Sequence, residues 1–389
     1  MRIIQALPRR MRFEATKASS IELCVAEWVS GSRYRQETTV FAERGAAPLI
    51  DVDIFRLAPT KRLSSWHLAY TIRRQVKLGG YDLVVTQQHI PTAARIAAFS
   101  PHIPVILQTH NFIDPPRRGI GAYLYNTMRY RQLSRLAGIT LVSEATLDRF
   151  ESDWPDVTIP RRVISNGFDF SSWRPATTRQ KTVLVVGRTH QTKGILEAAQ
   201  GVSIFLKRFR DWRAVFILSE SEQNKHYFSS IVNVLKSIEN QTELITDTPF
   251  THVKQITENA AISIVASKWE EPFGRTALEA HAGGAALISS QTGALREISG
   301  DAAAYLEEVT STAIASMLFR LASDDALRAR LSYEGMQRVR RHFQLARSSS
   351  QAASGIMPIV ERLDHFYEEV MERHIDGARA GKVGNGRAI

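Results

Sequence analysis

Two acids and two cations carry the chemistry that this sequence can do. In SKWEEPFGRTALEAHAGGAALISS, Ser267 to Ser290, Glu271 stands before Pro-Phe-Gly and Glu279 follows in a pattern of small residues that reads as a helix. Pro272 biases Glu271 toward extended backbone, beyond the strand-like AISIVAS and in the crevice where α/β sheets bind ligands. Phe273-Gly274 then turns into the helix. Its first N–H groups, near Gly274, Arg275 and Thr276, lack intrahelical partners, and with the helix dipole they suit an anion such as phosphate. Glu279, just over one turn inside, offers acceptors only and suits hydroxyl donors. Acids flanking an anion site fit a ligand with hydroxyls on both sides of a phosphate, and a nucleotide-sugar is such a ligand. The plainer alternative is that Glu279 complements the helix dipole and Glu271 is a solvated loop acid.

The cations lie in VLVVGRTHQTKG. Gly187 follows a buried-looking strand and is expected to make a turn that lets backbone approach a ligand. Arg188 and Lys193 come next, at the mouth of a helix. Arg188 can clamp phosphate oxygens with two parallel bonds and Lys193 can act as a point charge, the plainer alternative being a solvated helix start. The segment lacks both G-x-G-x-x-G and the P-loop pattern, which disfavours a dinucleotide dehydrogenase and a P-loop nucleotidase.

These residues need elements to hold them. RIIQAL, ETTVFA, DIFRLA, YDLVVTQ, IPVILQTH, GITLVSE and RRVISNG read as strands, alternating with amphipathic stretches such as SSIELCVAEWVS and SSWHLAYTIRRQVK, which serine N-caps would open. The pattern pauses over NGFDFSSWRPATTRQK, Asn166 to Lys181, and restarts with TVLVVGRT, RAVFILS, TELITD, AISIVAS, AALISS and AAYLEE. This predicts two doubly wound α/β domains, 1–168 and 182–345, facing a cleft. A helical segment follows over 346–374, then a tail over 375–389 with little to bury, expected to be disordered.

A length of 389 residues suits two cores, and 44% apolar with 23% charged residues suits a folded globular chain. Fifty Lys and Arg against 39 Asp and Glu leave a net charge of +11, which favours an anionic partner. Cys24 is the single cysteine, so no disulfide framework or cysteine-rich zinc site is available, and a cytoplasmic setting is expected. The apolar start IIQAL is too short for a signal peptide, and no window reaches the ~20 apolar residues of a membrane span.

Taken together, EPFGRTALEA, VVGRTHQTKG and VISNGFDFSSWRP resemble the family 4 glycosyltransferases, retaining enzymes of GT-B architecture, in the family's order and at its spacing over most of residues 80 to 310. The resemblance implies that Arg188 and Lys193 hold the donor diphosphate, with the amides of Phe273, Gly274, Arg275 and Thr276 completing the cradle beside Gly187. It assigns Glu279 to the ribose and Glu271 to the transferred sugar. His110, ending ILQTHN, would face the donor sugar from the first domain, and Ser143 matches a family position, although a helix N-cap explains it equally well. The implied donor is UDP- or GDP-linked, no cofactor or metal is expected, and the acceptor is a glycan or lipid-linked glycan of bacterial lipopolysaccharide or surface polysaccharide. A nucleotide-sugar epimerase of the same architecture and a non-catalytic nucleotide-sugar-binding protein are the alternatives.

Three departures stand out. The first βα turn, RRMRFEATKASS, lacks the family's Gly-Gly, LSESEQNK replaces a glycine-rich turn, and QTGALRE keeps only Gly293 of two glycines. Asp51 and Asp53 form a D-x-D, but before a strand early in the first domain, where a solvated loop is expected rather than a metal site. Pro115 to Leu136 interleaves Arg117, Arg118, Arg129, Arg131 and Arg135 with Tyr123, Tyr125 and Tyr130, which suits an anionic membrane surface on the inner face of the bacterial inner membrane, or an ordinary surface helix. No nucleic-acid motif accompanies it.

Overall fold

The computed structural model describes residues 1–14, 19–45, 47–57, 64–346 and 356–385. Strand-like runs rich in Val, Ile and Leu become parallel strands covered by helices, and the chain divides into two units, Met1–Phe168 with Leu345–Ile389, and Asp169–Gln344.

In the first unit the order is β1 (Ile3–Ala6), α1 (Ser20–Gly31), β2 (Thr38–Glu43), β3 (Asp53–Leu57), α2 (Ser64–Gly79), β4 (Leu83–Gln87), α3 (Ile90–Phe99), β5 (Val105–Gln108), α4 (Ala122–Leu133), β6 (Gly138–Leu141), α5 (Glu144–Asp153) and β7 (Arg161–Val163). The seven strands run β3-β2-β1-β4-β5-β6-β7, all parallel. Strand order reverses between β1 and β4, which opens a crevice at the carboxyl ends of those strands. Ser19 opens α1 through a capping box with Glu22. The serines expected to cap α2, Ser64 and Ser65, are instead its first two residues. Glu22 also accepts from the amides of Arg12 and Phe13, at 2.9 and 2.6 Å. It thereby organises a turn that has no glycine, yet places Arg10 and Phe13 at φ 68° and 52°.

The second unit runs β8 (Gln180–Arg188), α6 (Ile195–Arg208), β9 (Arg213–Ser219), α7 (Lys225–Leu235), β10 (Thr242–Thr246), α8 (Phe250–Thr257), β11 (Ala260–Val265), α9 (Arg275–Ala282), β12 (Ala286–Ser289), α10 (Leu295–Ser299), β13 (Ala303–Tyr305), α11 (Ser311–Ser323) and α12 (Asp325–His342). Its strands order β10-β9-β8-β11-β12-β13, again all parallel, with the switch point between β8 and β11. A continuous core from Val183 and Val185 through Phe205, Phe216, Ile264 and Leu318 fills one side of this sheet.

Three boundaries differ from the sequence expectation. The second unit begins at Asp169 and not at 182, because the linker packs onto it: Trp173 is buried, and the Ala176 amide donates to the Glu258 carbonyl at 2.8 Å. The C-terminal helix α13 (Ile359–Asn385) belongs to the first unit. It buries Val360, Leu363, Phe366, Tyr367 and Val370, while Asp364 accepts from Ser32 Oγ at 2.7 Å and the Arg33 amide at 3.0 Å. A tail disordered from residue 375 is also not found, since α13 continues to Asn385. Once such a helix is nucleated by its packed turns, each further residue adds a hydrogen bond without a new nucleation cost. Residues 386–389 of that expected tail lie outside the described residues.

Candidate active site

Three loops meet at the carboxyl ends of β8, β11 and β12 in the second unit. Gly187 and Arg188 are the last residues of β8, and Lys193 closes a short 3-10 turn, Gln191–Lys193, ahead of α6. Gly194 at φ 61° caps that turn, where a Cβ would lie 2.0 Å from the Ala266 carbonyl oxygen. The backbone of this loop therefore lies directly on the loop after β11. The Lys268 amide donates to the Thr192 carbonyl at 2.7 Å, and Ser267 Oγ to the same oxygen at 3.3 Å. From the third loop, Gly293 at φ 58° pairs in parallel with Glu271, and a Cβ there would meet the Glu271 carbonyl at 2.2 Å.

This lacing brings Lys193 Nζ to 2.5 Å from Glu271 Oε1, with both side chains mostly withdrawn from solvent. Gly274, at φ 97°, sends the chain into α9, whose head carries the Gly274, Arg275 and Thr276 amides. Arg275 Nε donates to Glu279 Oε1 at 3.1 Å across one turn. Phe273 turns its ring inward against Phe343, so only its backbone can face a ligand. Lys193, Glu271, Arg275 and Glu279 thus form two cation–carboxylate pairs beside a helix head. Arg188 stands apart from those pairs, with a side chain more than half exposed and Nη1 3.9 Å from Glu220 Oε2.

Gly187 does not make the expected turn. It is a strand residue paired with Leu218, and its lack of a side chain leaves room for Ile195, whose Cδ1 would lie 3.2 Å from a Cβ. Glu220, directly after β9, is left-handed at φ 60°, in the stretch where a glycine-rich turn was expected and not found.

In the first unit His110 follows β5 and its ring stacks on Trp28 with centroids 5.5 Å apart. Its Nε2 lies 2.8 Å from Gln87 Oε1, while Gln87 Nε2 donates to Gln5 Oε1 at 2.9 Å and Gln108 Oε1 at 3.1 Å. The amide oxygen therefore faces the ring, so the network assigns the imidazole proton to Nε2 and leaves Nδ1 as an acceptor. Burial pushes the His110 pKa down to about 3, which keeps the ring neutral. Gln88 holds the backbone beneath it, accepting from the His110 and Asn111 amides at 2.6 and 3.0 Å. The glutamines were not singled out in the sequence, although VVTQQH, a polar run directly after a buried strand, was their signal.

Ser143 is a buried N-cap in a capping box with Thr146. Asp51 and Asp53 are exposed at the start of β3, and among the described residues no group of three or more His, Cys, Asp or Glu could hold a metal ion. His89, which caps α3, is surrounded by positive charge. Burial first, then Arg9, Arg95 and Arg129, hold its pKa below the ordinary range.

The sequence matches the family described as Glycosyltransferase Family 4 over residues 25–172 and that described as Glycosyl transferases group 1 over 169–338. Among solved structures it is similar to HepE from Anabaena in complex with UDP, at 15% identity and a TM-score of 0.71 over 96% of this chain and 100% of that one. Sucrose-phosphate synthase from Thermosynechococcus elongatus matches with the same values. A glycosyltransferase from Rickettsia africae matches at 14% identity and a TM-score of 0.72, over 95% and 98% of the two chains. At such identities these likenesses establish the fold, two Rossmann-like domains of the GT-B type. No curated protein matches the sequence.

Proposed function

The chain belongs to the group 1, family 4 glycosyltransferases, and from that premise we propose that it moves a hexose, of mannose or glucose type, from a UDP- or GDP-linked donor with retention of configuration. The observation that carries this reading is the Lys193–Glu271 pair beside the head of α9, which offers cation, amide donors and carboxylate within one group of loops. Lys193 and Arg188 take the diphosphate together with the Gly274, Arg275 and Thr276 amides. Glu279 takes the ribose hydroxyls and Glu271 a hydroxyl of the sugar.

In this reading the bond from the anomeric carbon to the diphosphate oxygen breaks as the acceptor oxygen approaches from the same face, and the acceptor proton leaves on the diphosphate. The protein's work is to stabilise the charge gathering on the leaving group. His110, neutral and carrying its proton on Nε2, serves as an acceptor for a substrate hydroxyl through Nδ1. Gln87 is its positioning residue.

The acceptor we propose is a lipid-linked or growing glycan of bacterial lipopolysaccharide or surface polysaccharide, used on the cytoplasmic side of the inner membrane. The cations around His89 support an acceptor that bears phosphate. Among the described residues neither Arg95 nor Arg129 pairs with a carboxylate: Arg95 bonds Ser65 Oγ and Arg129 bonds the Tyr125 hydroxyl.

The test is a thermal-shift panel of nucleotide-sugars followed by donor hydrolysis with the purified chain, with and without EDTA. Stabilisation by a UDP- or GDP-sugar and metal-independent hydrolysis are expected. Binding confined to nicotinamide cofactors, or interconversion of nucleotide-sugars without an acceptor, would replace the proposal.

A further inference from the structure

We propose that the tip formed by residues 117–124 and the first turns of α4 is a wedge that seats the first unit on an anionic lipid bilayer. Gly119 and Gly121, at φ 92° and 81°, frame Ile120 in a Gly-Ile-Gly turn, and nothing lies within 4 Å of where either glycine's Cβ would be. Ile120 is fully exposed, Tyr123 is 80% and Leu124 77% exposed, and Met128 and Tyr130 continue the apolar surface along α4. Single exposed apolar residues are ordinary, but a contiguous set on one projection marks an interaction site.

The projection is held in shape. Asn126 Oδ1 accepts from the Arg117 amide at 2.8 Å while its Nδ2 donates to the Arg117 carbonyl at 3.0 Å, and the Arg117 guanidinium lies 3.7 Å from the Tyr125 ring centroid. Arg129, buried beneath, donates to the Tyr125 hydroxyl at 3.0 Å.

Charge chooses the partner. No Asp or Glu occurs between Asp114 and Glu144, a stretch with five arginines, of which Arg117, Arg118, Arg131 and Arg135 are exposed. Residues 64–143 carry nine Lys and Arg against two Asp, so this part of the chain holds +7 of the net +11. Arginines flanking an aliphatic and tyrosine tip match the bilayer interface, where apolar side chains enter the acyl boundary and cations meet anionic headgroups. The same apolar tip would be a liability on nucleic acid. Among the described residues no helix is long and apolar enough to cross a membrane, so the contact is peripheral.

This deepens the reading of the acceptor as lipid-linked, and its test does not depend on that reading. The full chain is floated with vesicles of phosphatidylcholine containing one-third phosphatidylglycerol, and with pure phosphatidylcholine. Binding to the anionic vesicles alone, weakened by salt, is expected. Arg118→Ser with Arg131→Ser should weaken it about 25-fold, at roughly fivefold per cation. Ile120→Ser with Leu124→Ser should weaken it about tenfold or more, while both variants keep wild-type thermal stability and donor hydrolysis. Equal flotation of wild type and variants overturns the proposal. So does RNA binding that the apolar variants leave unchanged, or self-association that Ile120→Ser abolishes in the absence of lipid. Loss of donor hydrolysis in the wild type would defeat the transferase reading and leave the flotation result standing.

Discussion

Replacing Lys193 by Met removes the cation from a pair at 2.5 Å and leaves Glu271, which is 8% exposed, without its charge partner. Breaking a buried pair by removing one member costs about 3–5 kcal/mol. Because Lys193 keeps roughly a fifth of its side chain in solvent, the lower end, about 3 kcal/mol, is the expected loss. For a unit the size of Asp169–Gln344, that corresponds to a fall in Tm of about 6–12 °C by calorimetry or dye binding. Adding Glu271→Gln removes the stranded charge and should recover most of that fall. Turnover should not recover: both variants are expected to lose about 10²–10³-fold in sugar transfer, the scale for one charge-stabilising donor. The comparison separates a stabilising role from a catalytic one. If Lys193→Met leaves Tm unchanged, the burial argument is wrong, and if the double variant regains transfer, Lys193 is a structural residue only.

Arg188→Ala should lower turnover by about 10²–10³-fold and shift Tm little, because its exposed pairing with Glu220 at 3.9 Å is worth about 0–1 kcal/mol; a thermal scan beside an activity assay decides. Gln87→Leu, which frees the His110 tautomer, should cut kcat about tenfold with donor KM unchanged, and a matched fall in Tm without any loss of kcat would count against the positioning role. Gly194→Ala should destabilise by about 2–4 kcal/mol from a left-handed backbone and a clash with the Ala266 carbonyl, read by denaturant unfolding. His281 is fully buried, with its pKa pushed down to about 3 by burial and then by Arg338. Its folded pKa lies below the unfolded 6.5, so the stability it contributes is full above about pH 6.5 and is lost as pH falls toward 3. His281→Gln should flatten the fall of Tm between pH 6.5 and 4, and an unchanged slope would refute the assignment.

Much of the fold was legible because its signals are local. Runs such as TVLVV and AISIV are long enough in β-branched residues to become buried parallel strands whatever lies beside them, and Ser19 with Glu22 encodes the start of α1 within four residues. The Pro272-Phe273-Gly274 signal placed the head of α9 for the same reason. Gly187 reads as a turn yet is a strand residue, since glycine serves equally where backbone must bend and where a neighbour such as Ile195 needs room. The fate of α13 was also beyond a local reading: its apolar side announces a helix, but not which unit it covers.

From the sequence alone came the two-domain α/β plan, the strand and helix segments, and the residue types able to hold a diphosphate between hydroxyl-bearing groups. Tertiary structure alone decided which of them touch. Lys193 and Glu271 are 78 residues apart and meet because β8 and β11 are neighbours at the switch point, while Arg188, only five residues from Lys193, turns to Glu220 beside β9. Likewise Gln5, Gln87 and Gln108 join only because β1, β4 and β5 lie side by side, and that order decides which nitrogen of His110 holds the proton. Backbone preferences act over a few residues, whereas contacts between side chains follow strand order, which is set by the burial of the whole sheet.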